Sequence, residues 1–371
     1  MVEYRVLPWA EGLAMHGAEW LAIGRERHLN PTLLPDWTRI IVETLTDPRE
    51  VRVLVGTDGA RLVSLLPFQI RQGPISRIRV RILEPISSVM SYHAELVTRG
   101  EPEDLLRALI QTRRELPWDI LRLVGILLDS PSARAITNVA QAERLALRQC
   151  SGDHSPYLHL ETTAKRLLAA RIKRDRYNVR KYAKEFAALP RAVERWYGPA
   201  DDMEALLGAI LHIEAGSWKQ AAGVAINSNP SETQYVRRLL QCLAANDSLY
   251  ANVCFIDGEP VAYNLAYRWE GSLGCMKGAY MDRFSHLSLG HFVRNQQIFR
   301  FADEGGKEFD FLGDAEPYKL GWSPTTRRHG SFFVSAHRGR GWWLGRAQQL
   351  RHRLRNIGWR RASLIENGQG Y

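Results

Sequence analysis

Apolar residues fall along the chain in short β-branched runs and longer stretches of helical spacing, and their order repeats. Residues 51–55 are a β-branched run, Thr57-Asp58-Gly59 follows, and 62–68 is apolar again. Asp-Gly between two such runs predicts a hairpin, because a tight type I′ turn demands positive φ. The same phrase returns at 249–256, Asp257-Gly258 and 260–267. Helical spacing precedes each hairpin, at 36–45 and 232–245. A third strand follows each, at 78–83 and 274–280. Then come a helix, at 103–116 and 289–304, and a closing strand, at 120–126 and 308–312. Both halves read helix–strand–turn–strand–strand–helix–strand. That shared order predicts two copies of one α/β domain.

Turn formers crowd residues 150–156 (CSGDHSP). The boundary between copies is placed there, with one domain at 1–150 and a second at 151–336. A short strand is expected at 157–160. A single long amphipathic helix is expected over 162–186, with Leu168, Ile172, Val179, Tyr182 and Phe186 on one side. Residues 337–371 read as a basic amphipathic helix and tail, in which Trp342, Trp343, Leu344, Leu350 and Leu354 are interleaved with Arg. Such a helix packs on its own protein or lies at an anionic membrane surface.

Charge sharpens this picture. The chain has 371 residues and a formal net charge of +10. Between Trp322 and Ile365 there are ten Arg and no acid, and the remaining residues balance, 40 basic against 40 acidic. A second basic stripe lies between 165 and 184: nine Lys and Arg against Asp175. The positive charge is therefore local steering toward an anionic ligand rather than a uniform coat. No apolar run reaches membrane-span length, and the N-terminus has no signal-peptide pattern, so a cytoplasmic protein is expected. Cys150, Cys242, Cys254 and Cys275 are widely spaced, and neither a metal site nor a disulfide framework is expected.

The copies differ where an anion would bind. A helix N-terminus offers free N–H groups and a favourable dipole to a phosphate. In the first copy that position reads Gly100-Glu101-Pro102-Glu103-Asp104, whose three carboxylates repel one. In the second it reads Ser285-His286-Leu287-Ser288-Leu289-Gly290-His291, with no acid. Past the last strand lies a dense polar run, Asp310-Phe311-Leu312-Gly313-Asp314-Ala315-Glu316-Pro317-Tyr318-Lys319. Strand carboxyl ends are where α/β proteins commonly bind ligands. Two carboxylates, a phenol and an ammonium suit activation of an amine and protonation of a leaving group. His212 and Glu214, two apart on a helix, diverge and make no metal pair.

From Ser155 to about His329 the chain resembles the BioF2-like and CelD-like acetyltransferases of the GNAT superfamily, relatives of the Fem-type aminoacyl ligases. The residues that carry this are Ser155-Pro156-Tyr157-Leu158-His159-Leu160, His212…Ser217-Trp218 and Asp257-Gly258 with Val261-Ala262. To these are added Gly278-Ala279-Tyr280-Met281-Asp282…Leu287-Ser288-Leu289-Gly290 and Asp310 through Lys319 with Trp322. Leu289 stands where that family usually has Pro. The resemblance implies tandem GNAT-like α/β domains with mixed sheets and acetyl-CoA or another acyl-CoA as co-substrate. It implies splayed strands at 274–280 and 308–312. Met276, Gly278, Ser288, Leu289, Gly290 and His291 would then hold the cofactor. Asp314 or Glu316 would take a proton from the amine, Tyr318 would protonate the thiolate, and Lys319 would stabilise negative charge. The acceptor, a small-molecule or glycan-precursor amine, is expected between the halves near Tyr92, His93, Trp218 and Tyr280. A Fem-type ligase using aminoacyl-tRNA is the second expectation, since Lys and Arg stripes neutralise RNA phosphates.

Overall fold

The computed structural model describes residues 2–75, 78–88 and 90–336. The first copy runs β1 (Glu3–Pro8), α1 (Trp9–Glu26), α2 (Pro35–Leu45), β2 (Val51–Asp58), β3 (Arg61–Ile75), β4 (Ile78–Pro85), β5 (Val97–Thr98), α3 (Pro102–Gln111), β6 (Ile120–Leu127), α4 (Pro131–Ala142) and β7 (Leu145–His159). Next come α5 (Ala164–Ala170), α6 (Lys173–Ala187), β8 (Ala192–Tyr197), α7 (Met203–Ala215), α8 (Trp218–Ala221), α9 (Pro230–Ala245), β9 (Leu249–Ile256) and β10 (Glu259–Trp269). The chain continues through β11 (Ser272–Tyr280), α10 (Leu289–Asp303), β12 (Glu308–Asp310), α11 (Pro317–Leu320) and β13 (Thr326–Ala336). The basic helix and tail expected over 337–371 lie outside the described residues. Among the described residues no helix is long and apolar enough to cross a membrane.

The repeated elements are present in both copies. At the second hairpin Asp257 and Gly258 both take positive φ, 53° and 82°, as a type I′ turn requires. One sheet carries both copies, in the order β1-β2-β3-β4-β6-β13-β7-β12-β11-β10-β9-β8, with β5 beside β3. Its centre is an exchange of last strands. β13, which ends the second copy, pairs with β6 and β7 of the first. β7 runs on past β13, and its Tyr157–His159 pairs with β12. The boundary expected at 150/151 therefore falls inside β7. The turn formers there make a bulge, Gly152 and Asp153 together opposing His329, and the strand continues.

Cores follow the strands across that boundary. Phe332 and Val334 of β13 are buried among Leu105, Leu121 and Leu123 of the first copy. Trp37, Ile40 and Ile41 of α2 join the second copy's core, and Trp37 Nε1 donates to Tyr235 Oη at 2.9 Å.

The single helix expected over 162–186 is two helices, parted at Arg171 and Ile172, whose backbone is extended. Arg171 supplies the reason. Its guanidinium lies 4.6 Å from the Trp322 ring centre, donates to the carbonyls of Trp322 and Gly321, and pairs with Asp175. A continuous helix would carry it away from all of them. The helix expected at 103–116 ends at Gln111 and gives way to a 3-10 turn at Thr112–Arg114.

In each copy two parallel strands pair briefly and part. β4 pairs with β6 only at Ile82–Leu83. The chain itself closes that gap: Ala94 bridges Ile126, and its N–H donates to Gly125 O at 3.0 Å. β11 pairs with β12 only at Ser272–Gly274. Beyond Gly274 no described strand lies on that side of β11, and the gap stays open.

Because the copies share strands and cores, thermal unfolding is expected as one transition. Phe332→Ala should cost about 3–5 kcal/mol, the usual range for a buried aromatic, and lower that single midpoint. Calorimetry showing the second copy melting separately at its original temperature would contradict this.

Candidate functional site

Alternate residues of β10 reach opposite faces of the sheet. Tyr263 Oη donates to Glu214 on α7 at 2.6 Å, and Asn264 Nδ2 donates to Gln297 on α10 at 2.5 Å. Helices α7 to α9 thus cover one face and α10 the other. A cleft of about 910 Å³ opens along β11 between them. Met276, Gly278, Tyr280, Ser288, Gly290, His291, Tyr92 and Trp218 line it, together with Glu316, Tyr318 and Lys319. Met276 is the extra residue of a β-bulge against Leu265 and Ala266. β4, its counterpart in the first copy, runs in unbroken register with β3.

At one end Ser288 precedes α10 in the left-handed region, φ 52°, and its side chain makes no cap bond. Leu289 is fully buried in the core and does not reach the cleft. His291 stacks on Tyr182 of α6 at 5.6 Å. Arg294, one turn further, lies 4.1 Å from the Tyr318 ring centre. Arg294 is absent from the site expected from sequence. Its signal was present: it follows Ser288 by six residues on the same helix, with no acid between.

The polar run after β12 is a clamped loop. Leu312 and Gly313 take φ of 50° and 58°. Lys319 Nζ donates to Leu312 O at 2.8 Å and Asp314 O at 3.0 Å, and pairs with Glu316 at 3.1 Å. All three ammonium protons are committed, so Lys319 holds the loop in shape. Asp314 enters through its backbone; its side chain is exposed and outside the cleft lining. Burial raises the Glu316 carboxyl, but the hydrogen bond and charge of Lys319 outweigh it and leave the pKa below its ordinary value. Burial pushes the Tyr318 phenol well up, so it stays protonated.

The first copy reaches into this site through the segment that fills its own gap. Tyr92 lines the cleft, and its Oη donates to Met276 O at 3.5 Å. His93 turns away from the cleft, with Nε2 3.0 Å from Asp310 Oδ2. Asp310 also accepts from Ser155 Oγ (3.1 Å), Leu312 N (2.8 Å) and Arg327 Nη1 (3.1 Å). Burial raises its carboxyl, but the hydrogen bond and charge of His93, then Arg327, bring it below the ordinary value. His329 lies against His93, ring centres 4.8 Å apart. Burial, and then the His93 charge, lower its pKa to about 4.

A largely buried ion cluster that the sequence does not announce lies on the α7 face: Glu214, Lys219, Tyr263 and Lys277. Glu214 and Lys219 stand five residues apart across the break between α7 and α8, where no helical spacing pairs them. Trp218 is 55% exposed at the rim.

Residues 173–320 match the family model of the acetyltransferase (GNAT) domain. The second copy carries a GNAT acetyltransferase domain. Solved structures extend a likeness of fold over most of the chain. FemX aligns at TM-score 0.57 and 10% identity, covering 90% of this chain and 97% of its own. A protein of unknown function from Bacteroides thetaiotaomicron VPI-5482 aligns at TM-score 0.53 and 12% identity, covering 81% and 89%. A tandem GNAT protein from the clavulanic acid biosynthesis pathway aligns at TM-score 0.50 and 14% identity, covering 90% and 98%. At such identities the likeness is one of fold. No curated protein matches the sequence.

Two outcomes follow. Lys319→Met should cost about 2–3 kcal/mol by orphaning two carbonyls and open the 311–316 loop to limited proteolysis. Lost activity with unchanged stability and protection would assign Lys319 to charge stabilisation instead. For His329 the folded pKa lies below the ordinary 6.5. Its stability contribution is therefore full above about pH 6.5 and lost as pH falls toward about 4, on the order of 3 kcal/mol. Denaturant midpoints measured across that range should drop in the wild type and flatten in His329→Asn.

Proposed function

We propose that the protein is an acyl-CoA-dependent N-acyltransferase that moves an acetyl or longer acyl group to a primary amine. The observation that carries this is the parting of β11 and β12 beside the Met276 bulge, opening onto the N-terminus of α10. The residues present fit such a donor. A slender pantetheine arm suits the unpaired edge of β11 at Cys275–Tyr280. A phosphate suits the Ser288 hydroxyl, the first-turn N–H groups and the Arg294 guanidinium, which lines the cleft over Tyr318. The first copy offers neither feature: its gap is filled, and Glu101, Glu103 and Asp104 stand at its helix start.

Bound there, an acyl-CoA supplies an activated thioester carbonyl. The bulge releases backbone N–H groups near Met276 to hold the carbonyl oxygen as it gains charge. Tyr318, kept protonated by burial, donates to the departing sulfur. Glu316, held ionised by Lys319, accepts the amine proton through water. Tyr92 and Trp218 wall the acceptor, a small-molecule or glycan-precursor amine.

Acetyl-CoA is expected to protect the protein against thermal unfolding and to release thiol when an accepted amine is added. Arg294→Met should weaken acetyl-CoA binding about 10- to 100-fold, the loss of one charge-assisted contact. Failure of every acyl-CoA to bind would overturn the proposal. A second reading, an aminoacyl-tRNA-dependent ligase of Fem type, is favoured by α6. Lys173, Arg180, Lys181 and Lys184 are exposed on that helix, while Tyr182 touches His291 at the donor end. Salt-sensitive protection by bulk aminoacyl-tRNA, without protection by any acyl-CoA, would select it.

A further inference from the structure

On the α7 face of the cleft two ammonium groups share one carboxylate. Glu214 is fully buried. Its Oε1 accepts from Tyr263 Oη at 2.6 Å and Lys219 Nζ at 3.1 Å, with Lys277 Nζ at 3.5 Å. Its Oε2 accepts the Ile226 N–H at 2.7 Å. Three hydrogen bonds and the Lys277 ion pair converge on this one carboxylate. Two positive charges against one negative leave an excess of one, and the side chains of Lys219 and Lys277 are only 11% and 17% exposed. Such an imbalance is costly until a further negative charge arrives.

Each ammonium also keeps an N–H with no protein acceptor among the described residues. Lys219 gives its second N–H to Gly278 O at 2.9 Å, and Lys277 gives one to Val224 O at 3.3 Å. An ammonium carries three N–H donors, so one remains on each. Both side chains line the cleft. Glu214 alone does not balance both ammonium groups, and their remaining N–H donors are available to an anionic ligand in the cleft. The donor's phosphates do not supply it, because α10 lies on the opposite face of the sheet.

Resting on the acyltransfer reading above, we infer that Lys219 and Lys277 form an anion subsite for the acceptor, which is an amine carrying its own carboxylate. An amino acid, or the amino-acid end of a longer molecule, has this chemistry. One carboxylate bridges two ammonium groups that already meet at a single oxygen. Glu232 lines the same cleft and offers the opposite charge to the ligand's ammonium.

The test uses the full chain saturated with CoA. Unfolding midpoints are measured with each of the common amino acids, with the primary amides of those that act, and with O-phosphoethanolamine. At least one amino acid should raise the midpoint by several degrees while its amide does not. Lys277→Gln should abolish that shift and Lys277→Arg keep it, with CoA protection retained in both as proof of folding. No shift with any amino acid, equal shifts with amides, or a shift with O-phosphoethanolamine alone would overturn the subsite. CoA protection in the same runs reads the donor separately. If it is missing, the donor reading falls, and the same titration without CoA decides the subsite.

Discussion

A single buried carboxylate joins the parts on which the cleft depends. Asp310 ends β12, and its oxygens accept from β7 through Ser155, from β13 through Arg327, and from the first copy through His93. It also takes the Leu312 N–H and so turns the chain into the loop that Lys319 clamps. An isolated carboxylate at this depth would be prohibitive, so each partner is needed by all the others. The exchanged strand, the clamped loop and the segment that carries Tyr92 all meet at this one group.

The two copies show how one fold is divided between support and chemistry. In the first, the gap between parted strands is filled by its own segment, β4 has no bulge, and acids stand at the helix start. In the second the gap is open, Met276 bulges and the helix start is free of acid. The segment that closes the first gap delivers Tyr92 to the second. The filling of one gap thus furnishes a wall for the other.

Much of this was legible in the sequence. Asp-Gly turns and β-branched runs located the hairpins because local sterics decide them. The acid-free start of α10 set the second copy apart from the first because electrostatics at a helix terminus are local too. What the sequence hid was non-local. β1, α1, α4 and β8 carry weaker patterns, and β13 belongs to the opposite copy's core. Arg171 broke a helix that periodicity predicts, for the sake of Trp322, some 150 residues away. Asp314 looked like a base beside Glu316, yet only its carbonyl is used, because the left-handed turn at Leu312-Gly313 directs the side chain outward. Glu214 and Lys219 meet across a helix break that no repeat period foretells.

The strand exchange also orders events in time. As the chain is synthesised, β6 and β7 are made long before β13, the strand that lies between them. Until residue 336 has emerged, the facing edges of β6 and β7 have no partner and the pocket for Phe332 is empty. Edges of that kind invite pairing with other chains. The first half of the molecule must therefore wait, incomplete, for the second, and folding is committed only when synthesis of the sheet is nearly finished.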